Sequence, residues 1–239
     1  MHTHLRDAIL SGEFVPGDAV PSERELSERL AVNRHAVREA IKRLQQARLV
    51  AVSHGGPTRV LDWRTTGGLD LIVDLVRDHS ERIDAGLMAA ITEMRACIGI
   101  DAARRCAERA PGQMRGDAAR RAEAAAAATD LGARTVANTE LWTAVVAGAD
   151  NLAYRLALNT LVEAVATYPE LDSGLNAPRD DGADYAALAA GLRRGDGGAT
   201  ARAAERLLEP ARTPAQLPPL AEVVPALDTS LDAPGAGSG

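Results

Sequence analysis

Apolar residues in the first sixty positions keep helical spacing through three short runs and then gather in two short β-prone runs. Leu5, Ile9 and Leu10 predict a helix over 3–11 that Gly12 ends. Ser22 stands at an N-cap position with Glu25 three residues on, a capping box opening a helix over 23–30 whose apolar stripe is Leu26 and Leu30. After Ala31-Val32, Asn33 caps a second helix. Ala36, Val37, Ala40, Ile41 and Leu44 form its inner face, and Arg34, Arg38 and Lys42, at steps of four, share another. The β-prone runs 49–52 and 58–61 flank Ser-His-Gly-Gly-Pro, which predicts a hairpin over 49–62 with His54 and Gly55 at its tip. Helix, turn, arginine-bearing helix and hairpin make a winged helix-turn-helix over 1–62, with Phe14 anchoring the entry turn and Pro16-Gly17-Asp18 as punctuation.

Beyond a linker at 63–67 the pattern changes to long alanine- and leucine-rich stretches without strand alternation. Helices are predicted over 69–77, 82–109, 114–131, 134–148, 152–167, 184–194 and 199–208. Pro111-Gly112, Gly132, Ala149-Asp150-Asn151, a loop over 169–181 and residues 195–198 separate them. The fold class is mainly α: the winged unit, then an all-α bundle of six or seven helices over 68–210, whose composition alone suits a structural scaffold as well as a ligand-binding domain. The proline-bearing segment 211–239, ending Gly-Ala-Gly-Ser-Gly, reads as a disordered tail.

Charge adds a direction. Residues 33–60 hold six Lys/Arg against one acid, Glu39, in a chain whose net charge is −6. Positive potential is gathered on the helix-turn-helix, which suits a double-stranded DNA partner and counts against unspecific adsorption. The first turn of a recognition helix reaches base edges, so Arg34 and Arg38 are candidates for bidentate guanine contacts, with Asn33 and His35 beside them. His54 or Arg59 can meet a phosphate from the wing, and Gly55 permits close approach to the backbone.

Catalytic signatures do not compete with this reading. No glycine-rich phosphate loop, nucleophile elbow or histidine pair is present, and nothing calls for a cofactor. Cys97 and Cys106 are nine residues apart on one predicted helix, about 13.5 Å along its axis, too far for a disulfide. With no signal peptide and no long apolar span, reduced thiols place the chain in the cytoplasm, away from membranes.

The segment LRDAILSGEFVPGDAVPSERELSERLAVNRHAVREAIKRLQQARLVAV resembles the DNA-binding domain of the GntR family of bacterial transcription regulators. SHGGPTRV followed by WRTTGGL is similar to the wing and linker of that family's FadR branch, which responds to acyl-CoA and controls fatty-acid metabolism. The resemblance implies a repressor-type homodimer on a palindromic operator, DNA contacts at Arg24, Arg34, Arg38, His54 and Gly55, and several residues upstream of Met1. His35 and Ala36 stand where FadR-like recognition helices carry threonines, which implies a different operator.

Many members of that branch hold a metal with one Asp and three His. Here the corresponding positions are Asn138, Trp142, Tyr185 and one near Leu207, and His79 is the only histidine beyond Asp62, so no metal is expected. The effector implied is a long-chain acyl-CoA, with a small carboxylate metabolite bound without metal as the alternative. Arg95, on a mostly apolar helix, is the candidate anion partner, with Trp142 and Tyr154 as candidate cavity walls. Leu207-Leu208-Glu209-Pro210 departs from the branch's polar stretch, so an acyl-CoA site does not carry over residue by residue.

Overall fold

The computed structural model describes residues 1–53, 56–78, 85–176 and 180–208. Three helices and a hairpin form the N-terminal part: α1 (His2–Leu10), α2 (Glu23–Arg29), α3 (Arg34–Gln46), β1 (Val50–Ala51) and β2 (Arg59–Val60). Local chemistry places each boundary. The Ser22 side chain accepts from the Glu25 amide while Glu25 accepts from the Ser22 amide, completing the capping box. Asn33 Oδ1 accepts the Ala36 amide at 2.8 Å and starts α3. β1 and β2 run antiparallel, with Val50 opposite Val60 and Ala51 opposite Arg59. The segment leaving the Pro16-Gly17 turn lies along the other edge of β2, where the Val20 amide donates to Thr58 and the Val60 amide to Asp18. Leu5, Ile9, Leu26, Val37, Leu44, Leu49 and Val60 close the core beneath.

Residues 63–67, read as a linker, contain a helical turn, α4 (Trp63–Thr66), capped by Asp62. Thr66 Oγ1 donates to the Arg48 carbonyl at 2.8 Å, and Trp63 packs on the N-terminal core. This turn therefore belongs physically to the winged unit.

Eight helices follow among the described residues, against the six or seven expected: α5 (Leu71–Asp78), α6 (Ala85–Arg109), α7 (Gly112–Ala127), α8 (Leu131–Ala149), α9 (Leu152–Thr167), α10 (Pro169–Asn176), α11 (Gly182–Arg194) and α12 (Gly197–Leu208). The additional one is α10, expected as loop; burial of Leu171 against α5 and α9 stabilises it. The break expected at Gly132 falls earlier, because Asp130 accepts the Ala133 amide and starts α8 at Leu131 with Gly132 in its first turn.

Alanine and glycine let the central helices approach closely. Ala102, Ala103, Cys106 and Ala107 of α6 are fully buried with Ala118, Ala119 and Ala122 of α7 and Ala203 and Ala204 of α12. A Cβ at Gly191 would sit 2.5 Å from Thr200 Oγ1, so α11 and α12 meet there only because that side chain is absent. Helix α5 serves both parts: Leu71 joins the N-terminal core, while Val73 and Val76 pack with Ala164 and Leu171. The buried Arg6 of α1 reaches Asp74 of α5 at 2.7 Å and binds the two parts together.

Candidate nucleic-acid interface and bundle cavity

Helix α3 presents its inner residues Val37, Ala40 and Leu44 to the core, which turns Arg34, His35, Arg38 and Lys42 to solvent. Arg24, on the second position of α2, is exposed as well. Arg24 and Arg34 have no hydrogen-bond or ion-pair partner among the described residues, leaving both guanidinium groups with unused donors. Arg38 differs, since its Nε donates to Glu23 Oε2 of α2 at 2.8 Å with both side chains exposed. Lys42 pairs at 2.8 Å with Glu39 of its own helix. Asn33 is exposed, but its oxygen is engaged as the α3 cap. Arg59 is exposed on β2 and donates from Nη1 to the Gly17 carbonyl at 2.8 Å, so part of its fork serves the turn beneath the wing. His54 and Gly55 lie outside the described residues, as do His79 and the tail over 211–239. Glu23 was not anticipated from sequence; only the packing of α2 on α3 brings it to an arginine fifteen positions away.

Among the described residues of the bundle lie two small neighbouring cavities. One, of about 60 Å³, lies between α6, α8, α9 and the end of α12; Met94, Ile98, Trp142, Leu158 and Leu208 supply most of its apolar wall. The other, of about 40 Å³, lies between α6, α8, α9 and α10 and adds Asn138, Thr139 and Asn176. Arg95 and Trp142 line both. Arg95 is half-buried and donates from Nη1 to the Leu175 carbonyl at 3.3 Å. Tyr154, expected as a wall, lines neither cavity: its hydroxyl donates to Asp101 Oδ2 at 2.7 Å, held there by the Arg104 and Arg105 partners of the same carboxylate.

Polar side chains continue from the smaller cavity into the bundle. Tyr185 donates to Asn138 Oδ1 at 2.7 Å, Asn138 to Asn176 at 3.1 Å, and Asn176 to Asp172 at 2.8 Å. Arg134 stands over the Tyr185 ring at 5.1 Å and forms a buried ion pair with Asp181. Burial pushes the Tyr185 phenol above its ordinary pKa, which keeps its proton and its role as donor. An amide already paired with a phenol, beside the indole of Trp142, is a neutral donor set that does not fit a divalent metal. Among the described residues no group of three or more His, Cys, Asp or Glu can hold one. Cys97 is exposed and Cys106 buried, both unpaired on α6. No helix among the described residues is long and apolar enough to cross a membrane.

Comparison with known proteins agrees with the two-part architecture. Residues 2–60 match the model for bacterial regulatory proteins of the gntR family, and residues 90–210 match that of the FCD domain. The chain is 35% identical over 210 residues to the HTH-type transcriptional regulator Mce2R of Mycobacterium tuberculosis, covering 86% of this chain and 85% of that protein. It is 36% identical over 94 residues to the fatty acid metabolism regulator protein of Vibrio vulnificus, covering 38% of this chain and 34% of that one. Streptococcus agalactiae GntR superposes with a TM-score of 0.46 at 19% identity, over 87% of this chain and 94% of that chain. The chain belongs to the GntR family of bacterial regulatory proteins, and it is a transcription regulator with an N-terminal helix-turn-helix domain and a helical FCD domain rather than an enzyme.

Proposed function

We propose that this regulator works in the cytoplasm as a homodimer that lays two copies of α3 in successive major grooves of a palindromic operator and adjusts its grip when a small molecule enters the bundle. The observation that carries the DNA half is that Arg34 and Arg38 are exposed on a helix whose opposite face is anchored in the core, with Arg34, and Arg24 of α2, unpartnered among the described residues. Arg34 and Arg38 then read bases, while Arg24, Arg59, His54 and Gly55 serve the backbone. Helix α5 and the Arg6–Asp74 ion pair give a bundle rearrangement a physical route to α1 and so to the spacing of the recognition helices.

For the effector, the cavities favour a small carboxylate with an apolar body, its anion on Arg95 between the Asn138 and Asn176 amides and its chain against Trp142 and Leu158. Volumes of about 60 and 40 Å³ fall well below the roughly 300–1,000 Å³ of pockets for larger ligands. The second reading is a long-chain acyl-CoA, supported by the name of the Vibrio relative and requiring the bundle to open around α10. Fluorescence anisotropy on the DNA upstream of the chain's own gene, at fixed salt, separates the two. A change in operator affinity with short unbranched aliphatic acids, abolished in Arg95→Leu, supports the first reading; a response to palmitoyl-CoA alone supports the second, and a chain that binds this DNA no better than random duplex refutes operator recognition there.

A further inference from the structure

The Glu23–Arg38 contact joins two helices on the face proposed to meet DNA, and its geometry is set by tertiary packing rather than by helix periodicity. Lys42 and Glu39 pair along one helix, three residues apart. Glu23 instead comes from the first turn of α2, whose start is fixed by the capping box at Ser22 and Glu25, and α2 is held to α3 through Leu26 and Val37. The carboxylate thus has a defined position relative to the Arg38 backbone. With 62% and 39% of the two side chains exposed, such a pair contributes little to folding. It does constrain where the guanidinium points.

A guanidinium offers two donor edges, one made by Nε with a terminal nitrogen and one made by the two terminal nitrogens. Glu23 Oε2 occupies Nε at 2.8 Å, and Arg38 has no other partner among the described residues, so the edge formed by the terminal nitrogens is left for a ligand. That edge is complementary to the N7 and O6 acceptors of guanine. On the face proposed to meet DNA the same carboxylate sets a negative charge, which disfavours every duplex that does not repay it with a base contact.

We propose that Glu23 is a specificity-determining positioning residue: it holds Arg38 end-on toward a guanine of the operator and penalises binding where that guanine is missing. The proposal rests on the reading of Arg38 as a base contact. Its test uses the full chain and an operator duplex selected from a random-sequence pool with the parent protein. Anisotropy titrations at fixed salt then compare that duplex, versions with each guanine replaced in turn, and the unselected pool.

Glu23→Ala is expected to bind the unselected pool more tightly and to lose about tenfold of its preference for one guanine, the guanine whose recognition Arg38→Ala also abolishes. Glu23→Gln, whose amide oxygen still accepts from Nε, recovers most of that preference while keeping the tighter binding to the pool. The double variant Glu23→Ala/Arg38→Ala loses no more preference than Arg38→Ala alone. Urea midpoints of the variants equal to the parent's exclude a folding effect, and Glu23→Gln carries the comparison should Glu23→Ala fold poorly. Retention of the parent's preference at every guanine by Glu23→Ala, while Arg38→Ala loses one, overturns the role of Glu23 alone. Retention by Arg38→Ala as well overturns the base-reading role of Arg38 and the proposal with it.

Discussion

Replacing Asp181 by alanine removes the carboxylate that neutralises a guanidinium inside the bundle. The Arg134 and Asp181 side chains are 5% and 7% exposed, and Arg134 Nε already lacks a partner in the structure. An uncompensated buried charge of this kind costs about 3–5 kcal/mol. Against a total of about 5–15 kcal/mol for a domain, that is a large share of the stability. The damage also has a functional route, because Arg134 supports the Tyr185 ring, Tyr185 donates to Asn138, and Asn138 lines the smaller cavity. Urea unfolding followed by circular dichroism measures the loss as a lower midpoint at unchanged slope. Replacing both partners by apolar residues, in Arg134→Met/Asp181→Leu, is expected to restore most of the stability, since the cost of desolvating two charges disappears with them. An Asp181→Ala protein within about 1 kcal/mol of the parent would refute the reasoning, showing that water or another group compensates Arg134.

Alanine in place of Arg34 is expected to cost about 1–3 kcal/mol of discrimination at one base position, whereas Arg24→Ala weakens all duplexes alike and lowers the salt slope by about one; equal binding of Arg34→Ala and parent to the selected operator contradicts the first. Gly191→Ala forces a Cβ to 2.5 Å from Thr200 Oγ1 and about 3 Å from its backbone nitrogen and Cα, an overpacking that costs roughly 1–3 kcal/mol by the same unfolding assay. Burial pushes the Cys106 thiol up to about 11, so at pH 8 it stays protonated, and iodoacetamide labels Cys97 alone until the chain is unfolded. Because this thiol is raised in the folded state, its stabilising effect is complete below its unfolded value and is lost as pH rises through about 11. Two labelled thiols in the native protein by mass spectrometry would place Cys106 in contact with solvent.

Features that depend on neighbours along the chain were legible from residues alone. Ser22 with Glu25, and Asn33, mark helix starts because a cap is a bond within three residues. Helix α9 occupies 152–167, the expected bounds after the Ala149-Asp150-Asn151 break, where Asn151 proves to be its cap. The exposed Arg34 and Arg38 follow from the stripe of Val37, Ala40 and Leu44, since a helix that buries one face must turn another to water. Helix α10 was hidden because Pro169 and Gly174 read as loop chemistry, although proline is tolerated in a first helical turn and Leu171 gains burial only when α5 and α9 lie against it.

The sequence by itself determined the class of protein, the order of its parts and the helix that turns Arg34 and Arg38 to solvent, all of which rest on periodicity, caps and a dense local motif. Tertiary structure alone decided that Glu23 meets Arg38, that Tyr154 is spent on Asp101 rather than on a cavity, that Tyr185 closes onto Asn138, and that α5 joins both cores. Those pairings span 15 to 53 positions, and no local rule specifies them. They arise because bringing helices together to bury apolar side chains fixes which polar groups come within reach of one another, inside the protein and at its surface.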